Sequence, residues 1–359
     1  MIPISKPVIG PEEIRAVEGV LRSGVLTQGT KVKKFEGMFA AYIGVKYAVA
    51  TNSGTSALHA ALLGSGIGAG DEVITTPFSF VAAANAILYT GVRPIFADID
   101  EASFNIDPEK IEEKITNRTK ALLVVHLFGQ PCDMKRIMKI CEKNGLILIE
   151  DACQAHGAEF DGKKVGSFGT GCFSFYPSKN LVTGEGGMIT TNDKKVAEKA
   201  KMIRNHGQTK AYVHDVLGYN YRMTDIAAAI GICQLRKLDA FNKKRIKNAQ
   251  FLTKEIEKNR GLITPYVPPN VKHVFHQYTI RVTEDFGMSR DELKQMLGKK
   301  GIDARVYYPI PIHKQPLYQK LGYRDELPVS EKVANEVLSL PVHPALTEGD
   351  LEKIVGAIK

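Results

Sequence analysis

The sequence predicts an α/β protein with a large domain on a mostly parallel, helix-covered sheet and a smaller C-terminal α/β domain. Three observations predict it. Short, almost wholly apolar segments alternate with helical patterns through about residue 235, as strands buried on both faces require. A chain of 359 residues is longer than one core usually serves. After a long basic helical stretch at about 239–259, the alternation restarts on a smaller scale.

In chain order the strand candidates are "YAVAT", "EVITTPFSF", "RPIFADI", "KALLVVHLF", "LILIEDA", "GCFSFYP" and "GGMITT". Between them lie the helix candidates "TSALHAALLGSG", "SFVAAANAILYTG" and "DMKRIMKICEKNG". The second unit offers a strand in "HQYTIRV" and helices at 290–300 and 330–338. The boundary falls at 244/245, giving domains 1–244 and 245–359. In such sheets, ligands bind beyond the C-terminal strand ends.

Composition narrows the function classes. Hydrophobic residues form 44% of the chain, yet no apolar run reaches the about 20 residues that span a bilayer. The N-terminal "MIPISKPVIG" lacks the charged-then-apolar pattern of a signal peptide, so a cytoplasmic protein is expected. Five cysteines without CxxC spacing suggest reduced, buried thiols and no metal centre. The net charge of +9 is spread over lysine-rich helices, which favours solvated faces over a nucleic-acid track.

Four stretches could carry chemistry. "ATNSGTSALHAAL" passes from a strand through a tight turn into a helix near Ser56; free N–H groups and hydroxyls there suit a phosphate, or simply an N-cap. "ILIEDACQAHGA" ends an apolar strand in Glu150 and Asp151, a placement that needs a hydrogen-bonded or cationic partner such as a protonated pyridine nitrogen. A metal would want more ligands than His156. "FSFYPSKNLVTGEGG" sets Ser174 five residues before Lys179 and follows with glycines that let a backbone or ligand come close. A lysine beside an aldehyde cofactor forms a Schiff base and shuttles protons, although a lone lysine is usually on the surface. "TPFSFVAAANA" offers Phe80 as a flat lid for an aromatic ring, or as core.

The order of these stretches resembles fold-type I pyridoxal-phosphate enzymes, and more closely the DegT/StrS family of nucleotide-sugar aminotransferases. The resemblance also covers "LTQGTKVKKFE", "PIFADID", "HLFGQPCDM", "RNHGQ", "GYNYRMTDIAAAIG" and "YYPIPIH". It implies that Lys179 is the Schiff-base lysine and that Asp151 pairs with the pyridine nitrogen. Gln154 reaches the ring's phenolic oxygen, and Phe80 stacks on the ring. Gly54, Thr55, Ser56 and Ser174 hold the phosphate, and Asn220 reaches the cofactor of a neighbouring subunit. Tyr308 and His313 contact the substrate. Two positions depart from the family pattern: Cys153 stands where alanine is usual and Thr183 where glycine is common.

The implied reaction converts a keto-sugar linked to a nucleotide into an amino-sugar for surface polysaccharide or glycan synthesis, with glutamate as donor. The segments "NHGQTKAYVHDVLGYNYRM" and "ARVYYPIPIHKQPLYQKLGY" are expected to line the sugar-nucleotide pocket and resemble those of members acting on UDP-linked 3-keto acetamido sugars, with a 4-keto substrate of the perosamine synthase type as the alternative. A homodimer with shared sites is expected, and small residues at 227–229 and Gly231 permit close helix packing. A dehydratase on this fold replaces the lysine with histidine or carries a cysteine cluster, and a non-catalytic regulator would have lost Lys179 or Asp151. A nicotinamide dehydrogenase needs a glycine-rich turn after the first strand, whereas "GSGIGAGDE" follows a helix.

Overall fold

The seven apolar segments of the first unit assemble into one sheet. In the computed structural model, which describes residues 1–358, they are β1 (Tyr47–Thr51), β2 (Glu72–Thr75), β3 (Arg93–Phe96), β4 (Thr119–Val125), β5 (Ile147–Asp151), β6 (Thr170–Ser174) and β7 (Gly187–Thr191). Their order across the sheet is β1-β7-β6-β5-β4-β2-β3. β7 is antiparallel to both neighbours, and every other adjacent pair is parallel.

Burial on two faces explains the continuous apolarity. Along β4, Ala121, Leu123 and Val125 enter one core while Leu122 and Val124 enter another, the alternation that a pleated strand imposes. Helix α1 (Pro11–Ser23) packs on the long helix Asp225–Ile256, while α2 (Thr30–Ile43), α3 (Gly54–Gly64), α4 (Ala82–Tyr89), α5 (Met134–Asn144) and α6 (Lys194–Arg204) flank the sheet. α5 shows why a charged stretch folds there. The Asp133 side chain caps its first turn, Gly145 ends it at φ 64°, and Met134, Ile137 and Ile140 cover the Leu122 face.

The basic helix is longer than its charge pattern suggests. α7 (Asp225–Ile256) begins fourteen residues before 239, because Thr224 accepts the Ala227 N–H at 3.1 Å and Gly231 lies flush against the Phe35 ring. A Cβ on Gly231 would sit 2.7 Å from that ring, so Gly231 packs closely against α2 of its own chain. The expected boundary at 244/245 falls inside α7.

The second core surrounds an antiparallel sheet of β8 (Leu262–Ile263), β9 (Tyr278–Val282) and β10 (Val337–Leu340). α8 (Arg290–Lys299), the end of α7 and α10 (Glu348–Ile358) pack around it. The helix expected at 330–338 divides into α9 (Pro328–Glu336) and β10. Leu338 and Leu340 pair with Ile280 and Tyr278, a sheet contact that a short apolar run cannot announce by its period. Ile2 also enters this core, and its N–H donates to Gly301 at 2.8 Å.

Asp225 ties α7 to α2. Its buried carboxylate accepts N–H groups from Gly29 at 2.9 Å, Lys31 at 3.1 Å and Val32 at 2.9 Å, at the otherwise unpaired start of α2. Asp225→Ala leaves these donors without their acceptor, that of Val32 in a buried position. We expect a loss of about 2–4 kcal/mol, read as a fall in melting temperature. An unchanged melting curve would show that water replaces the carboxylate.

Candidate active site

The adjacent acids that end β5 have opposite surroundings because successive strand residues face opposite sides of the sheet. Glu150 is fully buried and satisfied by the protein. It accepts N–H groups from Gly166 at 2.8 Å, Phe168 at 2.9 Å and Gly169 at 2.8 Å, and lies 3.2 Å from His126 Nε2. Glu150 therefore fastens the 166–169 turn. Asp151 instead lines a cavity of about 1060 Å³, where its Oδ1 accepts the Cys153 N–H at 3.1 Å. Burial pushes its carboxyl up, against hydrogen bonds from Cys153 and the Lys179 charge, which pull it down.

Lys179 lies on the turn after β6, its N–H donating to Tyr176 at 2.9 Å, and it lines the same cavity. Loss of solvent pushes its amine below the usual lysine range, with Cys153 and Asp151 opposing the shift. A lowered lysine holds more neutral amine, the nucleophilic form.

The start of α3 forms another wall. Ser53 is its N-cap, and Ser53, Gly54 and Thr55 line the cavity, with the first helical N–H groups free of intrahelical acceptors. Gly54 is needed for contact with β6: a Cβ there would fall 2.6 Å from Ser174 Cβ and 3.0 Å from Cys153 Sγ. Gly187 is pressed as closely, since its Cβ would meet the Ser53 carbonyl oxygen at 2.2 Å. Ser174 reaches the cavity.

Ser56 does not. Its N–H donates to Ser53 Oγ at 3.1 Å, and its hydroxyl donates to Asn52 Oδ1 at 2.7 Å while accepting the Ser53 N–H at 3.0 Å. Capping occupies the groups that the sequence offered to a phosphate, and the residue is buried. The helix begins at Gly54, ahead of Ser56, because Ser53 supplies the cap.

Phe80 is 58% exposed at the cavity wall, a large apolar face without a covering layer. Gln154 is oriented from both ends: its Oε1 accepts the Phe128 N–H at 2.8 Å, and its Nε2 donates to Tyr308 Oη at 3.1 Å. Tyr308 thus stands beside the expected ring contacts, 6.4 Å from Phe80 between ring centroids, and burial pushes its phenol up.

His313 is not brought to the cavity. It is fully buried beside Phe96, with Nε2 3.0 Å from Glu331 Oε1, because Ile312–Lys314 turns inward after Pro311. Tyr307, its neighbour in "YYPIPIH", lines the cavity instead. Cys153 does so too, and its departure from the expected alanine marked it in the sequence. Asn220 is exposed and outside its own chain's cavity lining; Thr224, not Asn220, caps α7. Arg305, which lies in the segment 304–323 expected to line the substrate pocket, also lines the cavity, as does Lys294, which gave no sequence signal.

A family model described as the DegT/DnrJ/EryC1/StrS aminotransferase family matches residues 7–359. The chain belongs to this aminotransferase family. It is 45% identical to a pleiotropic regulatory protein of Geobacillus stearothermophilus, over 97% of this chain and 94% of that protein. It is 40% identical to the GDP-perosamine synthase of Caulobacter vibrioides, over 97% and 95% of the two chains. Identity is also 40% to the UDP-N-acetyl-3-dehydro-alpha-D-glucosamine 3-aminotransferase of Acidithiobacillus ferrooxidans, over 97% and 93%. Among solved structures, S. venezuelae DesV in complex with a ketimine intermediate superposes with TM-score 0.93 at 38% identity, over 97% of this chain and 93% of that one.

Aminotransferases of the DegT/DnrJ/EryC1/StrS family are pyridoxal-phosphate-dependent. The residues present fit that group. Asp151 is a buried carboxylate without a cationic hydrogen-bond donor, Phe80 is an uncovered aromatic face, and the α3 start is a glycine-lined anion cradle. Among the described residues, no group of three or more His, Cys, Asp and Glu is arranged to hold a metal ion.

With the cofactor added, Lys179→Ala is expected to lack the wild-type visible absorbance and turnover. Asp151→Asn is expected to bind cofactor but turn over about a thousandfold more slowly. Cofactor attachment to wild-type apoprotein rises with pH through a midpoint below that of free lysine, because burial lowers Lys179. Absorbance and single-turnover rates check all three; full activity in either variant would remove that residue from the chemistry.

Proposed function

We propose that this aminotransferase converts a UDP-linked 3-keto acetamido sugar into the amino-sugar, with glutamate as donor, for surface polysaccharide or glycan synthesis. The observation that carries the reading is the meeting of Lys179 and Asp151 in one cavity whose volume, about 1060 Å³, far exceeds a cofactor's needs. The names of the relatives from Caulobacter and Acidithiobacillus support a nucleotide-sugar substrate. Their equal identity keeps amination at a 4-keto position as the second reading.

When bound, pyridoxal phosphate supplies an electron sink for the amino donor's α-carbon. Asp151 holds the proton on the ring nitrogen, Phe80 covers one ring face, and Gln154 donates to the phenolic oxygen. Gly54, Thr55 and Ser174 hold the phosphate with Ser53. Lys179 would hold the cofactor and, at Nζ, would carry the proton taken from the donor's α-carbon. Tyr308, oriented by Gln154, bounds the space for the sugar.

The site is proposed to be completed by a second copy of the chain, with Asn220 reaching the partner's cofactor. Supporting this, Asn220 is exposed on a segment whose Tyr212 and Leu217 are 92% and 79% exposed. Tyr219 and Tyr221 brace that segment from within, stacked at 4.9 Å, with Tyr221 Oη 3.1 Å from His59 Nδ1.

The substrate is tested by mixing the aminated-cofactor form with UDP-, GDP- and dTDP-linked keto-sugars. Return of the aldehyde form's visible band is expected with a UDP-linked 3-keto sugar. Return with 2-oxoglutarate alone, and with no sugar, would overturn the sugar substrate. Shared sites are tested by mixing Lys179→Ala with Asn220→Ala chains. Hybrid dimers then hold one unaltered site, so activity is expected to exceed that of either parent. Confirmed subunit exchange without that recovery would place Asn220 outside the partner's site.

A further inference from the structure

Beyond the side chains proposed for the cofactor, the cavity continues to a basic wall supplied by α8 and the segment before Tyr307. Arg290, Lys294 and Arg305 line it together with the Asp291 carboxylate, and the three cations are not equivalent. Arg290 is buried, its Nη1 donating to the carbonyls of Ala334 at 3.2 Å and Val337 at 3.0 Å, and its Nε lies 2.7 Å from Asp291. It is committed to the fold.

Arg305 is held but not exhausted. Its backbone is bridged to β10, with N–H to the Ser339 carbonyl at 3.0 Å and the reverse bond at 2.7 Å. Asp303 takes one edge of its guanidinium, at 2.7 Å from Nε and 3.2 Å from Nη2. The same carboxylate accepts the Ile4 N–H at 3.4 Å, so the N-terminal segment helps fix it. This arrangement leaves Nη1 for a ligand. Lys294, exposed and one turn along α8 from Arg290, has no ion-pair or hydrogen-bond partner among the described residues. Two cations thus stand on rigid elements at the wall, one pre-oriented and one free.

We propose that Lys294 and Arg305 form a subsite for the diphosphate of the nucleotide-linked sugar, with Asp303 as the positioning residue for Arg305. The proposal rests on the nucleotide-sugar reading above. Arg305 is three residues from Tyr308, at most about 10 Å along the chain. The diphosphate is carried on C1, separated from a 3- or 4-keto carbon by one or two ring carbons, so it stands several ångströms from the reacting centre, a span the three-residue step from Arg305 to Tyr308 can cover. The distal carboxylate of a glutamate-sized donor is the other anion that could meet these cations. It lies nearer its reacting carbon and carries one charge, where a diphosphate carries two. Arginine's fork and lysine's point charge are the usual partners of phosphate oxygens.

The test uses cofactor-loaded Lys294→Gln, Arg305→Gln, Lys294→Arg and Asp303→Asn. Titration calorimetry with UDP and GDP reads binding without turnover, and stopped-flow absorbance reads the glutamate and sugar half-reactions separately. For either Gln variant, we expect nucleoside diphosphate affinity to fall about ten- to a hundredfold. The sugar KM should rise in parallel, and the salt dependence of binding should flatten. Lys294→Arg should restore affinity, and Asp303→Asn should weaken it less than Arg305→Gln. Unchanged UDP and GDP affinity in both Gln variants would overturn the subsite. So would a KM increase confined to the glutamate half-reaction, which would assign the cations to the donor's carboxylate. A wild-type enzyme that binds UDP or GDP through these two residues but aminates no nucleotide-sugar would uphold the subsite and overturn the function it serves.

Discussion

The close approach of α3 to β6 and β7 is the constraint on which the site depends. Gly54 lies where any side chain would collide with Ser174, and Gly187 where any side chain would strike the Ser53 carbonyl. These contacts bring the turn at the start of α3, the serine of β6 and the Cys153 thiol into one wall. Because Lys179 follows Ser174 by five residues on a turn fixed by Tyr176, the same contacts also place the amine. Glycine here is a steric requirement of packing more than a source of flexibility.

Electrostatics then separates residues that composition cannot. Three backbone N–H groups and His126 meet Glu150, which makes it a clamp for the turn at 166–169. Asp151, one residue on, faces the cavity with hydrogen bonds from Cys153 alone. Burial disfavours its charge and that of Lys179, so both groups are poised for a partner that restores solvation or forms a bond. Cys153 is bonded through its N–H to Asp151 and packed against Gly54.

The C-terminal elements complete the cavity without contributing to the large sheet. They supply Tyr307 and Tyr308, the basic wall, and the β10 edge that holds Arg305. The first residues of the chain join them, since Ile2 packs in the second core and Ile4 touches Asp303. One cavity is therefore assembled from both ends of the sequence.

By itself the sequence determined the α/β class, seven strands in order, and the short segments that carry Lys179, Asp151, Gln154, Phe80 and the Ser53–Thr55 turn. These were legible because strand burial, helix starts and glycine loops are local, and local chemistry leaves local patterns. Tertiary structure decided which acid is available. It also decided that His313 faces Glu331 and that the apolar run 337–340 is a strand. Each of those outcomes rests on partners far away in the chain, such as Gly166, Phe96 and Ile280. The place of Lys294 on the cavity wall was likewise invisible, because an exposed lysine on a helix reads the same whether it faces solvent or a ligand.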